Sequence, residues 1–588
     1  MKIKYYFIVS LIWLAGIFSS CLELDYNEVQ VNDEKWVFEN YQQVDRLLID
    51  VYAHIRYDMG FDMSSMTSGY NGAMLSSATD ESDYSQSLSW IHRYYNGAWS
   101  SVNAFPDTWI NSYQAIFQAN DLLEKMDKVF ATLEEYKHNT SGAASYENLR
   151  AKFELYPYQT RFLRAYFLFE LAKTYGDVPL VTRTLTPAEA NNLKRTPVQE
   201  VFQFIVNECD AIVEKLPISY QSEPDQQIGR VNRPTVLALK ARTLLYAASP
   251  LHNPSNPKEA WRKAAEANKR LIDYCTAWGI GLSPYNTLWG PNNHYNTPEI
   301  FFIRRISNTR QFEVVNYPVG NENAMGGNCP TQNLVDAYEY SGAAPANLRG
   351  KTWPQAEEEG ILPENPYANL DPRFGLTVAH NGNTWPTVAP YNEVPLQTFE
   401  GGRNGQPLLN ATKTGYYLKK YVDGTRNITT ASPNTSNHSW VIYRLGEFYL
   451  NYAEAMFHYM DRDAMAVSDG MLDMSANDAI NVLRDRAGIK MPLFGAETNG
   501  DAWEERYMRE RMVELAFEGH RFWDVRRWKK GAEFFTDIKT VTVSSDGTVR
   551  RGPVIKRLWN ERNNLYPIPF GELRKAPNLT QNPGWEIN

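Results

Sequence analysis

Apolar residues recur at three- and four-residue spacing over much of the chain, and that spacing predicts helices. Within Asn32–Tyr57 the pattern runs through Val44, Leu47, Leu48, Val51 and Ile55. Within Thr108–Val129 it runs through Trp109, Tyr113, Ile116, Ala119, Leu122 and Leu123. Tyr158–Tyr175 carries Phe162, Ala165, Phe169 and Ala172 in register, and Gly176 and Pro179 stop it. Pro197–Leu216 repeats the pattern, and Arg233–Ala248 opens on Pro234, which suits a first helical turn. Further helices are predicted at Trp261–Trp278, Trp440–Met460, Ala476–Ala487 and from Trp503 onward. In the last, Met508, Met512, Leu515 and Ala516 form one face, and Gly519 is placed as a helix C-terminal glycine. A second, Arg- and Trp-rich segment follows, His520–Trp528. Glu510, Arg511 and Glu514 lie so close to the apolar face that burial would require ion partners. Read alone, this stretch is a structural helix with a buried Arg/Glu network.

The pattern is interrupted three times. Met59–Ser101 is rich in Gly, Ser, Asp, Asn and aromatics, and reads as an extended loop region between helices. Residues 285–435 shift to Gly, Pro, Asn and Thr, as in a loop-rich insertion with short strands. From Val541 the chain again suggests short strands, then a C-terminal wrap over 541–588. The helices therefore form a discontinuous scaffold, about 35–280 and 440–530, and the periodicity supports a helical bundle or array. Helix pairs with Ala and Tyr at contact positions resemble tetratricopeptide-type helix-turn-helix repeats of irregular period.

Residues 1–20 read as a secretory signal, with Lys2 and Lys4 before the apolar run Tyr5–Phe18. Ser19 and Ser20 precede Cys21, which resembles a bacterial lipoprotein cleavage site with Cys21 as the lipidated residue. Phe18 departs from the Leu usual at that position. Cys209 and Cys275 lie in helical patterns and read as small core residues, while Cys329 lies in a Gly- and Pro-containing loop. No cysteine spacing fits a zinc site.

The net charge of −9 and the lack of a basic block argue against nucleic acid as a partner. Catalytic signatures are absent: no G-x-S-x-G, HExxH or phosphate-binding loop occurs. Carboxylates are numerous, yet no segment singles out a glycosidase pair. The acidic loop Asp80, Glu81, Asp83 offers oxygen ligands for calcium, but a solvated acidic loop is the simpler expectation; no other cofactor is implied.

The chain holds 16 Trp and 36 Tyr, residues that cover the apolar face of a sugar ring while Asp, Asn and Arg satisfy its hydroxyls. Three loop regions supply these ingredients in whole or part. The first, Asp80–Trp99, contains Asp80, Asp83, Trp90, Tyr94, Tyr95, Asn96 and Trp99. The second is Tyr285–Tyr295, centred on Trp289. The third joins Gly326–Asn333, with Asn328 and Cys329, to Arg403 in a Gly-Gly-Arg-Asn-Gly run, where glycines would let backbone approach a ligand. Each aromatic also has a packing role open to it, and simple burial is open to Cys329.

ERMVELAFEGHRFWDVRRW, from Glu510 to Trp528, resembles the C-terminal signature of the SusD/RagB family. Gly446–Met456, Asn481–Ile489 and Leu565–Trp585 agree in order, as do Arg161–Pro179 and Arg233–Ala248 in the first half. PTQNLVDAYE also matches, as a structural helix start. The resemblance implies a mainly α, SusD-like fold on a tetratricopeptide-type scaffold. It implies a non-enzymatic, cell-surface lipoprotein of the outer membrane, anchored through Cys21. Glu23 and Asp25 resemble the surface-export signal of such lipoproteins. It further implies capture of a glycan for a SusC-like TonB-dependent transporter, the protein lying over the barrel like a lid. Peptide capture, as by a RagB-like lipoprotein, and a surface glycoside hydrolase remain the alternatives.

Overall fold

The computed structural model describes residues 37, 41–59, 69–105, 107–139, 143–220, 228–255, 257–290, 293 and 297–586. The signal and Cys21 lie outside these residues. The chain divides into two compact units, one of Met1–Leu47 with Lys125–Phe153, the other of Leu48–Glu124 with Glu154–Asn588. Helices of seven residues or more are labelled in chain order, as are the strands. They begin with α1 (Tyr41–Ala53), β1 (Ser82–Tyr84), α2 (Asp107–Glu124), α3 (Met126–Asn139), α4 (Ala143–Glu154), α5 (Tyr156–Tyr175), α6 (Val198–Ile212), α7 (Arg233–Ala248) and α8 (Lys258–Ala277). There follow β2 (Ile300–Thr309), β3 (Asn328–Pro330), β4 (Val378–Ala379), β5 (Tyr417–Leu418), β6 (Ser436–Arg444), α9 (Leu445–Tyr459), α10 (Ala476–Arg484), α11 (Gly500–Glu514) and α12 (Arg521–Arg527). Short strands β7 to β10 (Asp537–Ile538, Val541–Val543, Val549–Arg551, Ile555–Lys556) precede the C-terminus.

The smaller unit is tied by a 2.8 Å ion pair between Lys152 and Asp45, and by a Tyr146 hydroxyl donating to Glu134. In the larger unit, α2 packs on α5, and α5, α6, α7, α8, α9 and α10 pack each on the next. The order follows from local chemistry. Helix α5 is buried from Phe162 to Tyr175 except at Glu170, and Gly176, at φ +73°, ends it. Asn232 caps α7 by accepting from the Thr235 N–H, and Ser475 opens α10 in a capping box with Asp478. The helix expected over Trp440–Met460 begins only at Leu445. Trp440 itself lies in β6, where an aromatic and β-branched run pairs antiparallel with β2, Ile303 opposite Val441. The fold is thus mainly helical, with five two-stranded sheets among the described residues. The tail returns to the body of the unit: the Tyr566 N–H donates to the Thr174 carbonyl at 2.9 Å, and the Trp585 ring lies 4.9 Å from Trp99.

A chain of buried ion pairs runs behind α11. Glu514 receives Arg373 and Arg444 at 2.8 Å and Arg486 at 3.3 Å. Arg444 continues to Glu518 at 2.7 Å, and Glu518 to Lys420 at 2.9 Å. In the other direction Arg373 meets Glu510, Glu510 meets Arg484, and Arg484 reaches Glu339. A second group joins Arg511 and Arg527 through Asp524, with Arg527 also on Glu454. Burial opposes the charge on Glu514 and Glu454, but the surrounding guanidinium groups outweigh it and hold both carboxyls down at about 2. Groups depressed below an unfolded value near 4.5 stabilise the fold above that value, and lose the contribution as pH falls toward 2. We therefore expect the urea midpoint to drop steeply between pH 4 and pH 3. A flat midpoint across that acid range would contradict the assignment.

Candidate functional site

The larger unit contains a cleft of about 120 Å³ where several segments distant in sequence meet. The end of α1 leads into Arg56–Asp58 on one side. Helix α2 contributes Thr108 and Asn111, and α5 contributes Tyr166, Glu170 and Lys173. Strand β6 presents Trp440, and the turn after α11 presents Glu518, Gly519 and His520. Tyr70, Tyr94, Trp523 and Tyr566 complete an aromatic wall.

The backbone is strained where this wall is made. Phe517 at φ +58° and Tyr421 at φ +66° are bulky residues in the left-handed region, and both adjoin the buried Lys420–Glu518 pair. Gly519, at φ +77°, keeps the turn close to the wall: a Cβ there would stand 3.3 Å from Trp440 Cζ2 and 3.6 Å from Asp58 Oδ2.

The polar groups of the cleft are prearranged. Arg56 donates to Thr108 Oγ1 at 2.7 Å, and Asn111 Nδ2 donates to the His54 carbonyl at 2.8 Å. Lys173 donates to both Glu170 oxygens at 2.7 and 2.8 Å, with its ammonium 4.6 Å from the Trp523 ring centroid. Burial lowers the Lys173 ammonium from its ordinary value, against the pull of Glu170. Burial, aided by Arg242, Arg511 and Arg444, takes His520 well below the usual histidine range, so its ring is neutral and able to accept a hydrogen bond. Among the described residues Asp58 accepts the Leu75 N–H alone, at 2.9 and 3.1 Å, and burial pushes its carboxyl up to about 8. Aromatic faces, hydroxyls, an amide and charged groups around one hollow can hold a polyhydroxylated ring.

Of the loop-region residues expected to touch ligand, only Tyr94 is among those lining this cleft. β1 pairs with β3, Asp83 opposite Cys329 and Tyr84 opposite Asn328, so the first and third loop regions do meet. They meet inside the protein. Asp80 is 3% exposed and receives Arg521 Nε and Nη2 at 2.9 and 2.8 Å. Asp83 is 5% exposed and receives Arg557 at 2.6 Å. The acidic loop is therefore neither solvated nor free to ligate calcium, because its aspartates are held by guanidinium groups. Among the described residues no cluster of three metal-ligating side chains occurs. Asn328 accepts from the Met74 N–H and from Ser77 Oγ, and donates to Asn316, so its amide is consumed by its own neighbours. The Cys329 thiol is buried, pointing at the Gly326 carbonyl, and burial pushes it up to about 12. Trp99 is buried between Tyr94, Tyr566 and Trp585.

Four of the expected residues are half-buried. Trp90 lies 6.3 Å from Tyr70, with Arg93 stacked 4.5 Å over its ring. Tyr95 shares a 2.6 Å hydrogen bond with His92 and lies under Arg557. Trp289 packs on Tyr421, with the Lys420 ammonium 3.9 Å from its centroid. Arg403 donates to Asn321 Oδ1 at 2.6 Å. The glycines near Asn328 and Arg403 admit backbone, not ligand: a Cβ on Gly326 would meet the Asn410 carbonyl at 2.3 Å, and one on Gly402 the Gln397 carbonyl at 2.6 Å.

The cleft itself draws on Tyr70 and Tyr94, neighbours of Trp90 and Trp99, and on Trp440, linked through Tyr421 to Trp289. Two aromatic loops thus reach it, the first through Tyr70 and Tyr94, of which Tyr94 is among the aromatics its composition offers, the second only through Trp440, which lies outside its own segment. Asp58 and His520 carry no local pattern that marks them.

Comparison with known proteins finds chains of the same fold. The profile of the SusD family matches residues 292–585, and a second, described as starch-binding associating with outer membrane, matches residues 25–245. The SusD-like protein P25 of Formosa agariphila is 23% identical over 495 residues, 81% of this chain and 78% of that one. The crystal structure of a SusD-like protein from Bacteroides fragilis superposes with a TM-score of 0.71 at 22% identity, covering 94% of this chain and 98% of the other. A laminarin-binding SusD-like protein superposes at 0.59 and 20% identity, covering 92% and 99%.

Proposed function

This chain belongs to the SusD family of outer-membrane-associated carbohydrate-binding proteins, and on that premise we propose that it captures oligosaccharide in the cleft between α2, α5 and β6. The observation that carries the reading is the meeting of Trp440, Tyr70, Tyr94 and Trp523 with Asn111, Arg56, Asp58 and Glu170 around one hollow. A pyranose offers an apolar face to the rings and hydroxyls to the polar groups. Trp90, beside Tyr70, continues the aromatic surface outward and is the expected contact for the next sugar. Arg403, Tyr95 and Trp289 are spoken for by internal partners and are not assigned to the ligand.

The captured glycan would pass to a SusC-like TonB-dependent transporter. Acyl chains at Cys21 would hold the protein on the outer membrane, facing outward. The family binds and does not transform, so the chemistry required is differential affinity between an open and a covered cleft.

Crystals soaked with laminarin-derived oligosaccharides are the first test, because a protein of the same fold binds laminarin. An intact sugar ring between Trp440 and Asn111 is the expected result. A sugar seated away from the cleft, a cleaved product, or occupancy by peptide alone would overturn the reading.

A further inference from the structure

A charge count of the cleft leaves one carboxylate without a counter-ion. Three anions and three cations line it, Asp58, Glu170 and Glu518 against Arg56, Lys173 and Arg242. Glu170 is matched by Lys173 at 2.7 Å, and Glu518 by Lys420 and Arg444 at 2.9 and 2.7 Å. Arg242 is held by Glu447, and His520 is neutral. Arg56 turns to Thr108. Asp58 makes no ion pair among the described residues, although it is 5% exposed. The nearby segment 60–68 contains no Lys, Arg or His that could serve it. A buried carboxylate is kept only if it is paired, or if it takes a proton until a partner arrives.

Around that carboxylate the cleft is built for a cation. Asp58 Oδ2 and the Trp440 ring flank Gly519, and the tyrosines at 70 and 94 share the wall. Ring faces attract an ammonium group while repelling none of the sugar's hydroxyls. We infer that the cleft selects glycans bearing a protonated amine, with Asp58 as the counter-ion and the Trp440 ring beside it. The inference rests on the cleft being the glycan site, and adds the class of sugar it takes. In the empty cleft the proton on Asp58 replaces the missing cation, consistent with a carboxyl raised by burial to about 8. An arriving ammonium restores the charge, lowers the proton affinity of Asp58, and releases that proton to solvent. Arg56 and Lys173, whose positive charges favour the ionised form of Asp58, are engaged by Thr108 and Glu170.

The test is calorimetric titration at pH 6, where both the free amine and Asp58 are protonated, in phosphate and in Bis-Tris. The probes are a glucosamine tetrasaccharide and its fully N-acetylated form. The amine form should bind roughly tenfold to a hundredfold more tightly, and the heats in the two buffers should differ by release of about one proton per ligand. Asp58→Asn keeps the acceptor for the Leu75 N–H. It should abolish both the preference and the release. Equal affinities with no proton release would overturn the inference. So would binding of a neutral glycan in the cleft when neither tetrasaccharide binds, a result that leaves the glycan reading standing. Failure of Trp440→Ala to weaken any glycan would instead remove the cleft as the site, and the inference with it.

Discussion

Replacing Glu514 by alanine is expected to destabilise the fold by roughly 3–5 kcal/mol, the cost of breaking a buried ion network from one side. Glu514 is 0% exposed and is the one anion shared by Arg373, Arg444 and Arg486. Its removal leaves an excess of positive charge in the buried interior. Arg373 would keep Asp371 and Glu510, and Arg444 would keep Glu518 and Glu299, so the network should loosen without scattering. Asp485→Ala is the control. Its pair with Lys490 is about two-thirds exposed on both sides, and such pairs contribute about 1 kcal/mol or less. Urea unfolding of the two variants at pH 7 gives the comparison. A Glu514→Ala midpoint no lower than that of Asp485→Ala would mean that the network carries no stability of its own. The same turn leads from α11 to Glu518 and His520, so the variant also tests how firmly this network seats the cleft wall.

Periodicity carries the helices well, because a buried helical face must repeat at a fixed spacing wherever it occurs. Phe162, Ala165, Phe169 and Ala172 are all buried in α5. The spacing of Glu510, Arg511 and Glu514 demanded ion partners, and each has them in the interior. Trp440 was harder to read. A run of aromatic and β-branched residues leads directly into α9, and only the pairing with β2, more than a hundred residues away, makes it a strand.

The site was less legible for a related reason. Composition located the aromatic loops, but the ring that faces a hollow is decided by contacts between distant segments. Asp83 is withdrawn from solvent by Arg557, and Asp80 by Arg521, each more than four hundred residues along the chain. Tyr94 and Tyr95 are adjacent in sequence, yet one lines the cleft and the other sits on His92. Asp58 has no motif at all; it is distinguished only by what fails to reach it.

Trp440→Ala is the second large effect expected. The indole stands beside Gly519 and Asp58 and lines the cleft. Central tryptophans of binding sites commonly contribute about 2 kcal/mol or more, which corresponds to roughly a thirtyfold loss of affinity. The ring also packs 5.5 Å from Tyr421, so a thermal melt must accompany the titration to separate lost contact from lost fold. Calorimetric titration of an oligosaccharide panel into the native protein and Trp440→Ala is the measurement that bears most directly on glycan capture in this cleft. The account predicts saturable binding without product formation, weakened at least tenfold in a variant that still melts cooperatively. A glycan bound equally well by both proteins would contradict it.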